Sequence, residues 1–168
     1  MEISQAIRQR RSIRQYKPGI KLPEEHIHAL LEAAMMAPSA CNTRPWEFTV
    51  VESEEKKAEI VKAHPFCRHL AQASLAIVVS ARPDLQKGIA EGFFPQDCGA
   101  AIENILLEAT GLGYGSCWCG VYPRESRSKM IAGIIGTTAT PVAIVVIGVP
   151  AETPDAKGFY DETRVTRI

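Results

Sequence analysis

The 168-residue chain is 46 % hydrophobic and 23 % charged, enough apolar material for one domain (residues 1–168) with one sizeable core. Its 19 Lys and Arg balance 19 Asp and Glu, so no net charge drives it onto nucleic acid or an anionic membrane. The longest apolar stretch, Pro141–Pro150, is too short to span a bilayer, and Met1–Arg11 lacks the apolar centre of a secretion signal, so a cytoplasmic protein is expected.

Glu2–Arg10 reads as a short helix with Ile3, Ala6 and Ile7 on one face. A polar stretch, Arg10-Arg11-Ser12-Ile13-Arg14-Gln15-Tyr16-Lys17-Pro18-Gly19, follows it. Pro23 opens a second helix, with Glu24 and Glu25 where the helix dipole favours acids, an apolar stripe of Ile27, Leu30, Leu31 and Ala34, and Pro38 as its stop. The loop Pro38–Pro45 leads into a strand, Trp46–Val51. Ser53, Glu54 and Glu55 start a third helix that runs to His64.

Leu75–Ala81 is a continuous apolar run, the pattern of a buried strand. Gln96–Thr110 is a long helix whose only formal charges after Asp97 are Glu103 and Glu108, and Gly111 and Gly113 end it. Being apolar nearly all round, it is expected to be buried on all sides, in a core or at a dimer interface. A strand over Gly115–Val121, a helix over Arg124–Ile134 and a β-branched strand over Val142–Val149 follow, and Pro150–Ile168 is a polar, irregular tail. Helices around a few strands buried on both faces favour a three-layer α+β sandwich, with a doubly wound sheet as the second choice.

Arg10, Arg11, Ser12 and Arg14 gather three guanidiniums and a hydroxyl within five residues. That is the chemistry of a phosphate site, and equally that of a solvated charged face. Pro38, Ser39, Asn42, Pro45 and Trp46 form a stiffened loop able to contact a flat polar ring, or simply a turn. The glycines of Gly111-Leu112-Gly113 follow a helix rather than a strand, so they are no dinucleotide loop; Gly120 would let backbone approach something flat.

No Walker sequence, hydrolytic triad or Gly-x-Ser-x-Gly elbow is present, and no catalytic side chain is assigned. No metal site is assigned: Cys117-x-Cys119 lacks a second Cys/His pair at zinc spacing, and the small cluster of His64, Cys67 and His69 reads first as an ordinary surface segment, with a metal site there as the alternative. The five cysteines, odd in number and irregularly spaced, are expected as free thiols.

Five segments in order resemble the nitroreductase family of flavoenzymes. They are Arg10–Tyr16, Ala37–Trp46, Gln96–Leu106, the run from Gly111 through Trp118 to Gly120, and Phe159–Val165. The resemblance implies a dimeric α+β sandwich with a mixed, mainly antiparallel sheet flanked by helices, and FMN bound at the dimer interface. Arg10, Arg11, Ser12, Arg14 and Arg164 would hold its phosphate. Pro38, Ser39, Ala40 and Asn42 of the other subunit would line the flavin. The backbone at Cys119 and Gly120 would lie beside the isoalloxazine, one N–H donating near N5. NAD(P)H would be the reductant, and a nitroaromatic, a quinone or a similar small molecule the acceptor.

A flavin carrier, or a redox sensor using Cys117 and Cys119, is the alternative; a third possibility is different flavin chemistry on the same fold. Little follows Arg164, where many members of the family continue into an arm that embraces the partner. Arg82–Phe94 matches nothing in the family, and Phe93 and Phe94 read either as a lid or as core.

Overall fold

The strand Leu75–Ala81 serves two cores at once. Leu75, Ile77, Val79 and Ala81 pack on one side of the sheet and Ala76 and Val78 on the other, and all seven residues of the strand are buried. A two-residue side-chain period with no polar face leaves a strand no alternative to being covered twice. Each large aliphatic side chain withdrawn from water in this way contributes roughly 1.5–3 kcal/mol.

The computed structural model describes residues 1–155 and 158–168, so residues 156 and 157 of the anticipated tail lie outside the described residues. Among the described residues five α-helices, α1 (Ile3–Gln9), α2 (Glu24–Met35), α3 (Glu54–Ala63), α4 (Phe94–Gly111) and α5 (Glu125–Ile135), surround four strands. The strands are β1 (Trp46–Val51), β2 (Leu75–Ala81), β3 (Gly115–Gly120) and β4 (Thr140–Gly148), in the order β1-β2-β4-β3 with every neighbour antiparallel. A parallel bridge between Ser12 and Ser116 adds the polar stretch after α1 to the β3 edge, which makes the sheet mixed. Helices α2 and α4 cover one face; α3, α5 and the turns of Pro65–Gln72 cover the other. The architecture is the expected α+β sandwich.

Local chemistry explains the helix ends. Ser53 caps α3 by accepting from the Lys56 N–H, and Gly136 ends α5 in the left-handed region at φ 71°. Pro23 caps α2 rather than opening it. Helix α4 starts two residues earlier than anticipated, because Pro95 loses nothing in a first turn whose N–H groups are unpaired anyway.

Within the chain, helix α4 buries one stripe (Cys98, Ala101, Ile102, Ile105, Leu106, Ala109) and its opposite side is half-buried. One expectation about burial is corrected. The apolar face anticipated on α1 splits: Ala6 packs inward and Ile3 and Ile7 point outward, 76 % and 57 % exposed.

Candidate functional site

The stretch after α1 is held extended along the sheet. The Ile13 N–H donates to the Ser116 carbonyl at 2.9 Å, the Lys17 N–H to Val149, and the Tyr16 hydroxyl to the Ile13 carbonyl at 2.8 Å. An extended backbone sends alternate side chains to opposite sides, so Ile13 enters the core while Ser12 and Arg14 face an open cleft of about 1020 Å³. Arg10 and Arg11 line the same cleft, and Tyr16, beyond the alternating stretch, packs in the core with Ile13. Glu152, Pro154, Asp155, Phe159 and Tyr160 form its far wall.

The arginines are not equivalent. Arg10 faces Glu103 of α4 at 3.4 Å, and the Arg11 Nε donates to the Asp155 carbonyl at 3.2 Å. Among the described residues the Arg14 guanidinium makes only a long 3.5 Å contact, to the Ser12 carbonyl. The Arg14 and Gln15 amides both donate to the Glu152 carboxylate, an acid within the cationic cleft that the sequence reading did not single out. Arg164, expected with this group, pairs with Asp161 at 3.0 Å and is not among the residues lining the cleft.

Arg14 also lines a second, smaller cavity of about 300 Å³ with His64, Phe66, Trp118, Cys119, Gly120 and Arg127. The arginine cluster and the end of β3 are thereby neighbours. Strand β3 is the sheet edge, and the Ser116 carbonyl faces away from β4 to meet Ile13. Strand alternation therefore turns the Trp118 and Gly120 amides outward and the Cys119 amide towards β4. Of the two residues expected to offer an N–H, Gly120 has the geometry to do so. A Cβ on Gly120 would meet nothing within 4 Å, so packing inside the chain does not demand glycine there. His64, missed as a site residue, is buried and donates from Nε2 to the Gly120 carbonyl at 2.9 Å. Burial holds its imidazole below the ordinary histidine range.

The loop after α2 lies apart from both cavities. Cys41, Asn42 and Arg44 have φ values of 50°, 54° and 48°, a run of non-glycine residues in the left-handed region. What holds them is a polar knot. The Arg44 N–H donates to Ser39 Oγ, and the Arg44 Nε to Asn42 Oδ1. The Ala40 N–H donates to Asp97 Oδ1 at 3.1 Å, while Gln86 Nε2 donates to Asp97 Oδ2 at 2.7 Å. Pro38, Ser39, Ala40 and Asn42 are thus fixed by Asp97 of α4 but do not reach this chain's own arginines. Of the aromatic pair, Phe94 packs on the core and against Tyr122, and Phe93 is exposed.

The segment from His64 to His69 is not the surface segment anticipated. His64 and Cys67 are buried, and His69 approaches Cys119 to 3.6 Å. Its turns fold the sequence onto the underside of β3, a tertiary contact that spacing alone does not reveal. All five cysteines are free thiols, and only Cys41 is exposed. The hydrogen bond with Cys117 lowers the Cys119 pKa, but the Cys67 thiol and burial outweigh it and push the thiol up to about 12. Among the described residues no helix is long and apolar enough to cross a membrane.

The model of the nitroreductase family matches residues 7–64 and 62–149, which include the arginine cluster, the strained loop and the β3 edge. The chain belongs to the nitroreductase family. It is 40 % identical to a Methanothermobacter thermautotrophicus protein, over 98 % of this chain and 86 % of that one. That relative carries the provisional name NADH dehydrogenase/NAD(P)H nitroreductase. A Parabacteroides distasonis crystal structure with the same provisional name superposes with a TM-score of 0.92 at 29 % identity, covering 98 % of this chain and 96 % of the other. An FMN-dependent nitroreductase from Clostridium difficile superposes at 0.87, also at 29 % identity, with 96 % of each chain covered.

Proposed function

We propose that this nitroreductase-family chain is a cytoplasmic, homodimeric oxidoreductase that uses FMN and NAD(P)H to reduce nitroaromatics, quinones or similar small acceptors, working as one domain. The observation that carries the reading is the continuity, through Arg14, between a cleft lined by three arginines and the open edge of β3 at Gly120. The residues present fit such a cofactor. Arg10, Arg11, Ser12 and Arg14 offer planar, charge-assisted donors to a phosphate, and Gly120 leaves open space for a flat ring to approach a backbone amide. FMN when bound supplies the two-electron chemistry; the protein supplies position and charge balance.

His64 holds the Gly120 carbonyl and so anchors that residue from its C-terminal side, and the outward Gly120 N–H is the donor able to reach the ring. Pro38, Ser39, Ala40 and Asn42 are assigned to the partner's flavin, because within the chain they are built rigidly yet lie away from the arginines. Exposed Ile3, Ile7, Met36 and Trp118, with the half-buried side of α4, support a dimer interface. Arg164 joins the phosphate site only if it leaves Asp161. A thiol redox sensor is the weaker reading, since Cys117 and Cys119 are buried with raised pKa values and therefore poor in thiolate.

The test is an absorption spectrum of the purified protein, before and after anaerobic NADH or NADPH. Flavin bands that bleach with either nucleotide support the reading. No flavin, even after incubation with excess FMN, removes it.

A further inference from the structure

We propose that Cys117, Cys119 and His69 form a binding site for a thiophilic divalent cation, zinc being the ion that fits, on the underside of the strand that carries Gly120. The inference stands independently of flavin binding. The sequence holds two short pairs, Cys67-x-His69 and Cys117-x-Cys119, and the fold brings them together. The Cys117, Cys119 and His69 ligand atoms all lie within 4.8 Å of one another, and Cys119 Sγ is 3.6 Å from His69 Nε2. Tetrahedral zinc, with sulfur at about 2.3 Å and nitrogen at about 2.0–2.1 Å, places such a pair about 3.6 Å apart. That edge of the tetrahedron is therefore already formed.

Each ligand is held for a separate reason. Cys117 and Cys119 are two residues apart on one strand, so their thiols share the face turned away from Trp118. His69 is stacked on Tyr16, ring centroids 6.2 Å apart, while the Tyr16 hydroxyl is engaged by Ile13. Cys67, fully buried beside Cys119, is the adjacent thiol for a fourth position. His69 is the half-buried member and gives the path to solvent.

Charge selects the ion. Ile13, Ile131, Ile144 and Val146 make the surroundings apolar, where a net charge is costly. Two thiolates and a neutral imidazole cancel a divalent cation, and Cys67 as a third thiolate would leave one negative charge facing the nearby Arg14, whereas monovalent copper would leave one more in either case. On binding, each thiol gives up one proton and forms one metal–sulfur bond, with no change of oxidation state. A Cys117–Cys119 disulfide is the poorer use of these thiols. Residues two apart on a strand have Cα atoms about 6.6 Å apart with parallel side chains, the far end of what a disulfide bridges. The ion would clamp Pro65–Gln72 to β3, on the reverse side of the Gly120 edge.

The experiment equilibrates the reduced full-length protein with equimolar zinc, removes loose metal by desalting against a weak chelator, and measures zinc per chain and the zinc-edge X-ray absorption. One zinc per chain, with two or three sulfurs at about 2.3 Å and a nitrogen at about 2.0–2.1 Å, is expected. Cys117→Ser and His69→Gln should each lose the retained zinc, and Cys41→Ser should keep it. No retained zinc in the parent protein, a shell of oxygen and nitrogen only, or zinc undiminished in both ligand variants overturns the proposal. If the ligand variants do not fold, the absorption spectrum of the parent protein decides alone.

Discussion

The His64 Nε2 stands 2.9 Å from the Gly120 carbonyl oxygen, tying the residue after α3 to the last residue of the sheet's edge strand. This bond holds the carbonyl of the residue whose N–H lines the smaller cavity, and it does so with a buried ring. Replacing His64 with Ala removes a buried ring and its bond to the Gly120 carbonyl, leaving that carbonyl the 3.5 Å contact from Arg127, and should cost about 1–3 kcal/mol of stability. The folded-state pKa lies below the unfolded value of roughly 6.5, so the unfolded chain takes up a proton first as pH falls. This contribution is complete above the unfolded pKa and is lost as pH falls from there towards the folded one. Melting temperatures at pH 7 and pH 5 should therefore fall more steeply for the parent protein than for His64→Gln; parallel slopes would remove His64 from the account.

Arg14 is the arginine with the least engagement inside the chain and the one shared by both cavities. Arg11 is bonded to the Asp155 carbonyl at the cleft wall. Arg14→Ala should therefore weaken FMN binding more than Arg11→Ala. The loss of one charge-assisted contact, about 1.5–3 kcal/mol, corresponds to roughly 10- to 150-fold in dissociation constant. Quenching of FMN fluorescence on titration reads this directly. Equal, small effects of both variants would move the phosphate elsewhere.

Strands β1 and β2 were legible to the residue, because a β-branched or alternating run between turn residues has one stable solution. The arginine cluster was also visible, since its residue types state their chemistry. What was hidden depends on contacts distant in sequence. His64 meets Gly120 across 56 positions, Asp97 meets Ala40 across 57, and the Cys67–His69 turn meets β3 across about 50. The Cys-x-His and Cys-x-Cys pairs were the available signal for the last of these. It was missed because the spacing rule for zinc looks for closer partners.

Asp97 explains why the strained loop keeps its shape. Its two oxygens accept from the Ala40 amide and the Gln86 side chain, and the carboxylate is buried. Asp97→Ala leaves the Ala40 amide unpaired and Gln86 with only its bond to Thr43, in a region that already holds three non-glycine residues at positive φ. The expected result is a loss of about 2–4 kcal/mol, with faster proteolysis or hydrogen exchange localised to residues 38–44. Unchanged protection there would mean that the loop is held without Asp97.

Thiol titration should divide the cysteines unequally. Cys41 is exposed, while burial and the neighbouring Asp97 charge push Cys98 up to about 12 and burial with thiol neighbours raises Cys117 and Cys119. A thiol-reactive dye on the native, metal-free protein should label one of the five cysteines quickly, and all five after denaturation. Cys41→Ser should abolish the fast phase. A second fast thiol would show that the core beside β3 opens readily.

The two apolar surfaces on helices call for different probes of the dimer. Ile105 is fully buried within the chain's own core, so a charge there tests folding and says little about association. Ile3 and Ile7 are apolar, exposed and on one face of a seven-residue helix that anchors only Ala6. A helix this short gains little from propensity alone and needs packing to persist. If a second copy supplies that packing, Ile3→Asp with Ile7→Asp should yield a folded monomer with weakened FMN binding, because the cofactor is assigned residues from both copies. Light scattering after gel filtration reports the mass, and circular dichroism reports the fold. An unchanged dimer would place the interface elsewhere, with the half-buried side of α4 next to be tested. An unfolded product would instead show that α1 packs on its own chain more tightly than its exposure implies.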